Sequence, residues 1–242
     1  MSLVSSLKHS IFVRIYAGLL IVCLCVALFA QLLMDTINKE RVQSYREDMA
    51  TGAFYIVSEG LAHQENETQR DYWLSDASSL FGSEFKIVSI DEVDFNASEL
   101  RRFEKENTVV RYISQLTTAD VYYRLPDNQG VLTARISQVT EQQVRAIAVF
   151  LLDDLSYHIT LSDKLARLAQ LEEKFSFPLA FKAVTALDLD SDQMARLRRD
   201  EVVILLQDTN TSKSNSSIKV IVPSEISDMA ILIGPVPLFN WF

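Results

Sequence analysis

Disulfide chemistry, metal ligation and the common catalytic loops have little to work with in this chain. Of its 242 residues only two are cysteine, Cys23 and Cys25, and both fall inside one apolar run. Everything after that run therefore folds without disulfides and relies on its core. Histidine occurs three times (His9, His63, His158), scattered and never in a histidine-glutamate pattern on a helix. His158 reads as a linker residue and His63 as a solvated side chain, with a titrating role as the alternative. Glycine is scarce, at six residues, and no glycine-rich phosphate loop, Gly-x-Ser-x-Gly elbow or metal-ligand spacing is present. No catalytic, cofactor-binding or metal site is expected. Basic charge is also short, with 23 Lys and Arg against 32 Asp and Glu for a net charge of −9, which argues against nucleic acid or an anionic lipid surface as partner.

What the chain does have is one long apolar run. Ile15 to Met34 is uncharged, closed by Arg14 and Asp35. At about 1.5 Å per residue its 20 residues span a hydrocarbon core of roughly 30 Å. Lys8 and Arg14 precede the run, and Asp35 is the first acidic residue of the chain. That asymmetry places residues 1–14 in the cytoplasm and the remainder on the exported side. The run exceeds the usual ~7–15-residue core of a signal peptide and lacks a clean cleavage site, so a retained anchor is expected. From Asp35 to Leu61 there is no proline and only Gly52 and Gly60, so the anchor helix is expected to continue as a rod over residues 35–63.

Past a polar break at Gln64 to Thr68 the sequence repeats itself. Phe85-Lys86-Ile87-Val88-Ser89 is echoed by Phe181-Lys182-Ala183-Val184-Thr185, each followed by an acidic turn, a short basic helix and a strand. The spacing is 96 residues at the start and 94 after the turn, which predicts a two-residue deletion in the intervening loop. Asn96 with Glu99 and Asp190 with Gln193 both fit the capping-box pattern. The expectation is a duplicated α+β unit over 68–155 and 156–233. Helices are predicted over Asp71–Leu80 and Ser162–Lys174, the latter with Leu165, Leu168, Leu171 and Phe175 as its apolar stripe. Strands are predicted over Val121–Leu125, Val131–Ile136, Val144–Leu152, Ile218–Val222 and Ala230–Ile233, with a polar loop over Gln207–Ser217.

Two groups of side chains merit attention. Tyr122, Tyr123 and Arg124, with Lys219 as their counterpart in the second copy, are candidate ligand-sensing residues, core packing being the competing role of the tyrosines. Asp91, Asp94, Asp188, Asp190 and Asp192 form acidic turns that could meet cations or titrate, against plain turn and cap chemistry. Asp188, Asp190 and Asp192 lack the turn glycine and distal glutamate of a calcium loop. The chain closes on an apolar, aromatic segment in which Gly234, Pro235, Pro237 and Trp241 look like an interfacial collar ahead of a second membrane helix.

Phe12-Val13-Arg14-Ile15-Tyr16, the anchor, Glu40-Arg41, Phe54-Tyr55-Ile56-Val57-Ser58-Glu59 and the closing Ile233-Gly234-Pro235-Val236-Pro237 resemble the N-terminal region of RstB-type bacterial sensor histidine kinases. The resemblance implies an α+β fold in which one transmembrane helix continues into a long helix and then a tandem PAS-like or Cache-like periplasmic sensor domain, with residues 234–242 as the juxtamembrane exit. It implies a homodimer in the inner membrane of a two-component system. The cognate response regulator would be reached, and ATP and magnesium used, only through kinase regions that these residues do not contain. On that reading the chain is a truncated product or a deliberately cut piece of the kinase, and itself no enzyme. A bitopic scaffold or assembly factor binding another envelope protein is the alternative.

Overall fold

A computed structural model describes residues 11–114, 118–126, 130–136, 141–175, 177–208 and 215–239. The chain divides into two compact units, Met1–Ser44 and Tyr45–Phe242. A single helix, α1 (Ile11–Ala62), is unbroken across that boundary, as its lack of proline predicts. It contains an 18-residue window of mean hydropathy 2.6 with none of that window buried, and it is long and apolar enough to cross a membrane.

The second unit is α+β and built twice. After α1 come α2 (Glu67–Phe81), β1 (Lys86–Val88), a 3-10 turn (Ile90–Glu92), α3 (Ala97–Glu106), β2 (Thr108–Ser114), β3 (Thr118–Arg124) and β4 (Val131–Ile136). The order then recurs as α4 (Glu141–Ser156), α5 (Leu161–Glu172), β5 (Leu179–Ala183), a 3-10 turn (Val184–Ala186), α6 (Ser191–Leu197), β6 (Val203–Asp208), β7 (Asn215–Pro223) and β8 (Met229–Phe239). Each half carries one antiparallel four-stranded sheet, ordered β1-β4-β3-β2 in the first and β5-β8-β7-β6 in the second. Both expected capping boxes form, Asn96 with Glu99 and Asp190 with Gln193.

The ladders refine the repeat. Ile87 pairs Leu132 in the first sheet where Phe181 pairs Ile231 in the second, so the equivalent of Phe181 is Ile87 and not Phe85. The two 3-10 turns and the capping residues keep the same separation of 94 positions. The predicted two-residue deletion is therefore absent. The indel sits in the next connection: Val110 pairs Val121 as Ile204 pairs Val220, so beyond β2 and β6 the separation becomes 99. That places five additional residues of the second half within Gln207–Ser217. Residues 207–208 and 215–217 of that predicted loop are strand, and 209–214 lie outside the described residues.

The same separation of 94 also extends backwards. Asn66 and Thr160 cap equivalent helices, and Phe81 and Phe175 close them on buried rings. It carries α4 onto the last turns of α1. The first half thus opens within α1, and the second opens at α4 rather than at residue 156. The predicted strand Val144–Leu152 is instead part of α4. An apolar run from Ala146 to Leu152 suits a buried strand by composition, but Val144, Ile147, Ala148, Leu151 and Leu155 are buried at helical intervals and settle it as a core helix.

The last turns of α1 and all of α4 form the centre of the helical layer. Met49, Ala53, Phe54, Ile56, Val57 and Leu61 share one continuous core with their α4 counterparts and with the inner faces of both sheets. The second helix of each half leans on the first helix of the other. From α2, Trp73 meets Phe150 edge-on at 4.9 Å and Phe81 stacks on it at 5.7 Å. From beyond α5, Phe175 lies against Gly52 of α1. On the outer sheet faces, Phe103 of α3 packs over Val109 and Val131, and Leu197 of α6 over Val203, Ile221 and Ala230.

The segment predicted as a membrane exit is strand. Gly234, Pro235 and Pro237 belong to β8, with a cis Gly234–Pro235 peptide and Gly234 at φ +99°. Ile218 pairs Val236 and Val220 pairs Ile233, so Gly234 and Pro235 occupy a bulge opposite Lys219. β5 pairs β8 as far as Ile233, and the Gly234 N–H still donates to the Pro178 carbonyl at 3.0 Å. Beyond it, no strand among the described residues pairs β8 on that side. A bulge and a sheet edge are where proline, lacking an N–H, is accommodated. Trp241 lies outside the described residues.

Candidate functional site

Among the described residues, a tightly bonded polar cluster of the second unit sits where α1, α4 and α5 meet. Tyr55 and Glu59, four residues apart on α1, share a helical face. α5 presents Arg167 between its buried Lys164 and Leu168, and α4 presents Asp154. Arg167 grips Asp154 with two bonds, Nε to Oδ2 at 2.8 Å and Nη2 to Oδ1 at 2.7 Å. Its Nη2 also donates to Glu59 Oε2 at 2.9 Å and its Nη1 to the Tyr55 hydroxyl at 3.1 Å. The guanidinium carbon stands 5.6 Å from the centre of the Tyr55 ring. Asp154 is only 6% exposed and the Arg167 side chain 11%. The hydrogen bond to Asp154 holds the Arg167 guanidinium above its ordinary pKa, against the opposing effect of burial. One cation with two carboxylates in a water-poor site is a fixed joint between three helices.

The duplication shows what this joint replaces. By the 94-residue separation Arg167 is equivalent to Trp73, and Asp154 to Gly60. Trp73 occupies the space over Gly60, where a Cβ would fall inside the indole ring, and its Nε1 donates to the Val57 carbonyl at 3.0 Å. One half has an apolar ring on a glycine where the other has a charged pair.

A cleft of about 450 Å3 opens beside the joint, lined by Tyr55, Glu59, Asn107, Tyr123, Arg124, Leu125 and Pro126. Burial pushes the Tyr123 phenol up to about 12, with a hydrogen bond to Ser58 opposing, and burial likewise raises Tyr55.

The sequence-predicted residues do not converge on one site. Alternation along β3 turns Tyr123 towards the helical layer and Tyr122 to the outer face. There Arg111 lies 5.3 Å from the Tyr122 ring, bonds Glu99 at 2.9 and 2.8 Å, and donates to the Asp94 carbonyl at 2.7 Å. This contact draws the Glu99 carboxyl below its usual range. Arg124 sits over Phe103 at 4.8 Å and reaches both the cleft and an outer pocket with Ile87, Ile90 and Val131. Lys219 is not the counterpart of these residues: the ladders give it the place of Asp120, and Ile221, Val222 and Pro223 answer to Tyr122, Tyr123 and Arg124.

The acidic residues sit in turns and caps. Asp190 accepts from the backbone of Asp192 and Gln193, and Asp91 donates its N–H to the Ser89 hydroxyl. Asp188 and Asp192 are exposed on either side of Asp190. Among the described residues, no group of three or more His, Cys, Asp or Glu side chains could hold a metal ion.

Sequence reasoning missed Arg167, Asp154, Glu59 and Tyr55. The available signal was a charged residue on the apolar stripe of α5, beside Leu168 and Leu171. The predicted stripe gave that place to Leu165, which is exposed.

Comparison with known proteins yields no matching family model, no matching curated protein and no matching solved structure.

Proposed function

We propose that this chain is the periplasmic sensor module of a membrane-bound two-component histidine kinase, with a tandem PAS-like or Cache-like domain as receiver. The observation that carries the reading is the continuity of α1. One unbroken helix holds an apolar stretch of membrane-spanning length and, in its last turns, the centre of the domain core. Twin antiparallel sheets, each flanked by helices on both faces, support the PAS-like reading. A signal that favours one arrangement of α5 against α1 acts on the helix through Arg167, Glu59 and Tyr55. Its effect is bounded by its differential affinity for the two arrangements. The protein would work as a homodimer in the inner membrane.

A bitopic scaffold that binds another envelope protein is the second reading. The place of Gly234-Pro235-Val236-Pro237 within β8 is compatible with it, since a bitopic protein needs no second membrane helix.

The coding DNA that follows the Phe242 codon tests the two readings. An in-frame apolar stretch of about 20 residues, then a phosphoacceptor histidine helix and an ATP-binding domain, is the expected result. A stop codon with no such sequence in frame would sink the kinase reading and leave the scaffold.

A further inference from the structure

The tips of the two helical hairpins, α1–α2 and α4–α5, are equivalent by the repeat and touch each other. His63 of the first tip and Tyr157 of the second are equivalent residues, and their rings stack at 4.3 Å with planes 8° apart. Both tips have the same construction, a polar N-cap (Asn66, Thr160) starting the second helix. Their surfaces differ. The second tip exposes Tyr157, Ile159, Leu161 and Leu165, with Ile159 94% exposed. The first tip holds His63, Glu65, Glu67 and Asp71 at those four positions, all exposed. The fold therefore has no need of apolar residues there, and the first half supplies the control within the same molecule.

We propose that these paired tips are a docking surface for a protein segment that carries apolar side chains flanked by lysine or arginine. The charge around the patch selects this occupant. Glu65, Glu67, Asp71 and Asp163 are exposed, while the basic residues of the tips are drawn inward: Arg70 is half-buried, and Lys164 is buried and bonded to Glu225 at 2.6 Å. A second copy of this chain seated patch on patch would bring two such sets of carboxylates together without a cation between them. An anionic membrane surface meets the same repulsion. A partner with an apolar centre and a basic rim satisfies both parts of the surface. The inference does not rest on the sensor reading.

The test uses the full chain in phosphatidylcholine nanodiscs and three fluorescent synthetic peptides, with empty nanodiscs as blank. One peptide has an isoleucine- and leucine-rich centre with lysine flanks, one the same centre with glutamate flanks, and one a serine centre with lysine flanks. The expected result is binding of the first peptide alone, weakened by added salt. Ile159→Glu and Leu165→Asp, the residues the first half carries at those places, should each weaken it about tenfold or more. Their unfolding curves should match the wild type. Glu65→Lys with Glu67→Lys should shift preference to the glutamate-flanked peptide, which a general loss of folding does not do. Equal binding of both apolar peptides, or no effect of the tip variants, would overturn the proposal. So would self-association, or attachment to phosphatidylglycerol vesicles, that Ile159→Glu abolishes.

Discussion

Replacing Arg167 by methionine removes the cation from a joint whose two best-buried members face each other. Asp154, 6% exposed, loses both its bonds to Arg167, and Glu59 and the Tyr55 hydroxyl lose one each. Breaking a buried pair from one side leaves an uncompensated charge and costs about 3–5 kcal/mol. Arg196→Met is the control, because Arg196 and Glu201 form a surface pair with side chains 43% and 45% exposed and such pairs contribute no more than ~1 kcal/mol. Urea unfolding of the full chain, followed by far-ultraviolet circular dichroism, reads both. The decisive variant is Arg167→Met with Asp154→Leu. It converts the joint to the apolar character of its Trp73–Gly60 equivalent and is expected to recover most of the loss. A cost for Arg167→Met no larger than that of Arg196→Met would refute the joint. A double variant whose cost is the sum of the two single ones would refute the coupling.

Two further outcomes follow from particular contacts. Gly60→Ala ordinarily gains up to about 1 kcal/mol in a helix, but here the new Cβ enters the Trp73 ring. The expected sign is therefore reversed, to a loss of about 1–3 kcal/mol by overpacking, checked by the same unfolding curves and absent in Trp73→Leu. In alkali the tyrosines govern stability. Burial pushes Tyr123 and Tyr112 up to about 12 from an ordinary value near ~10. The folded state thus holds these protons more tightly than the unfolded one, so their stabilisation is complete below pH ~10 and is lost as pH rises towards about 12. Tyr123→Phe should flatten that decline, and an unchanged slope would contradict it.

The parts of this fold that were legible in the sequence are those written in local chemistry. Asn96 with Glu99 and Asp190 with Gln193 announced two helix starts, and both boxes form. The uncharged stretch from Ile15 and the proline-free stretch after it announced one continuous helix. Register was less accessible. Phe85 and Phe181 look alike, yet the equivalent of Phe85 is Leu179, because cross-strand pairing and not residue identity fixes the frame. α4 reads as a strand because its exposed face, polar at Gln142 and Arg145, continues into the exposed but apolar Val149, so the run from Ala146 to Leu152 has no polar interruption to mark the helical period. The Arg167 joint was hidden for another reason: Tyr55 and Glu59 lie more than a hundred positions from Arg167, and nothing local marks them as its neighbours.

The exchange of helices between the halves has a consequence for the origin and folding of the domain. Phe81 of the first half rests on Phe150 of the second, and Phe175 of the second rests on Gly52 of the first. His63 meets its own equivalent, Tyr157, as residues on a twofold axis do. This is the contact scheme of an isologous dimer written into one chain. Cut between β4 and α4, neither fragment keeps a closed core, since each has left half of its helical layer with the other. The expected outcome is a single unfolding transition for both halves. Within that scheme the two sides need not match, as the Trp73–Gly60 and Arg167–Asp154 pairs show.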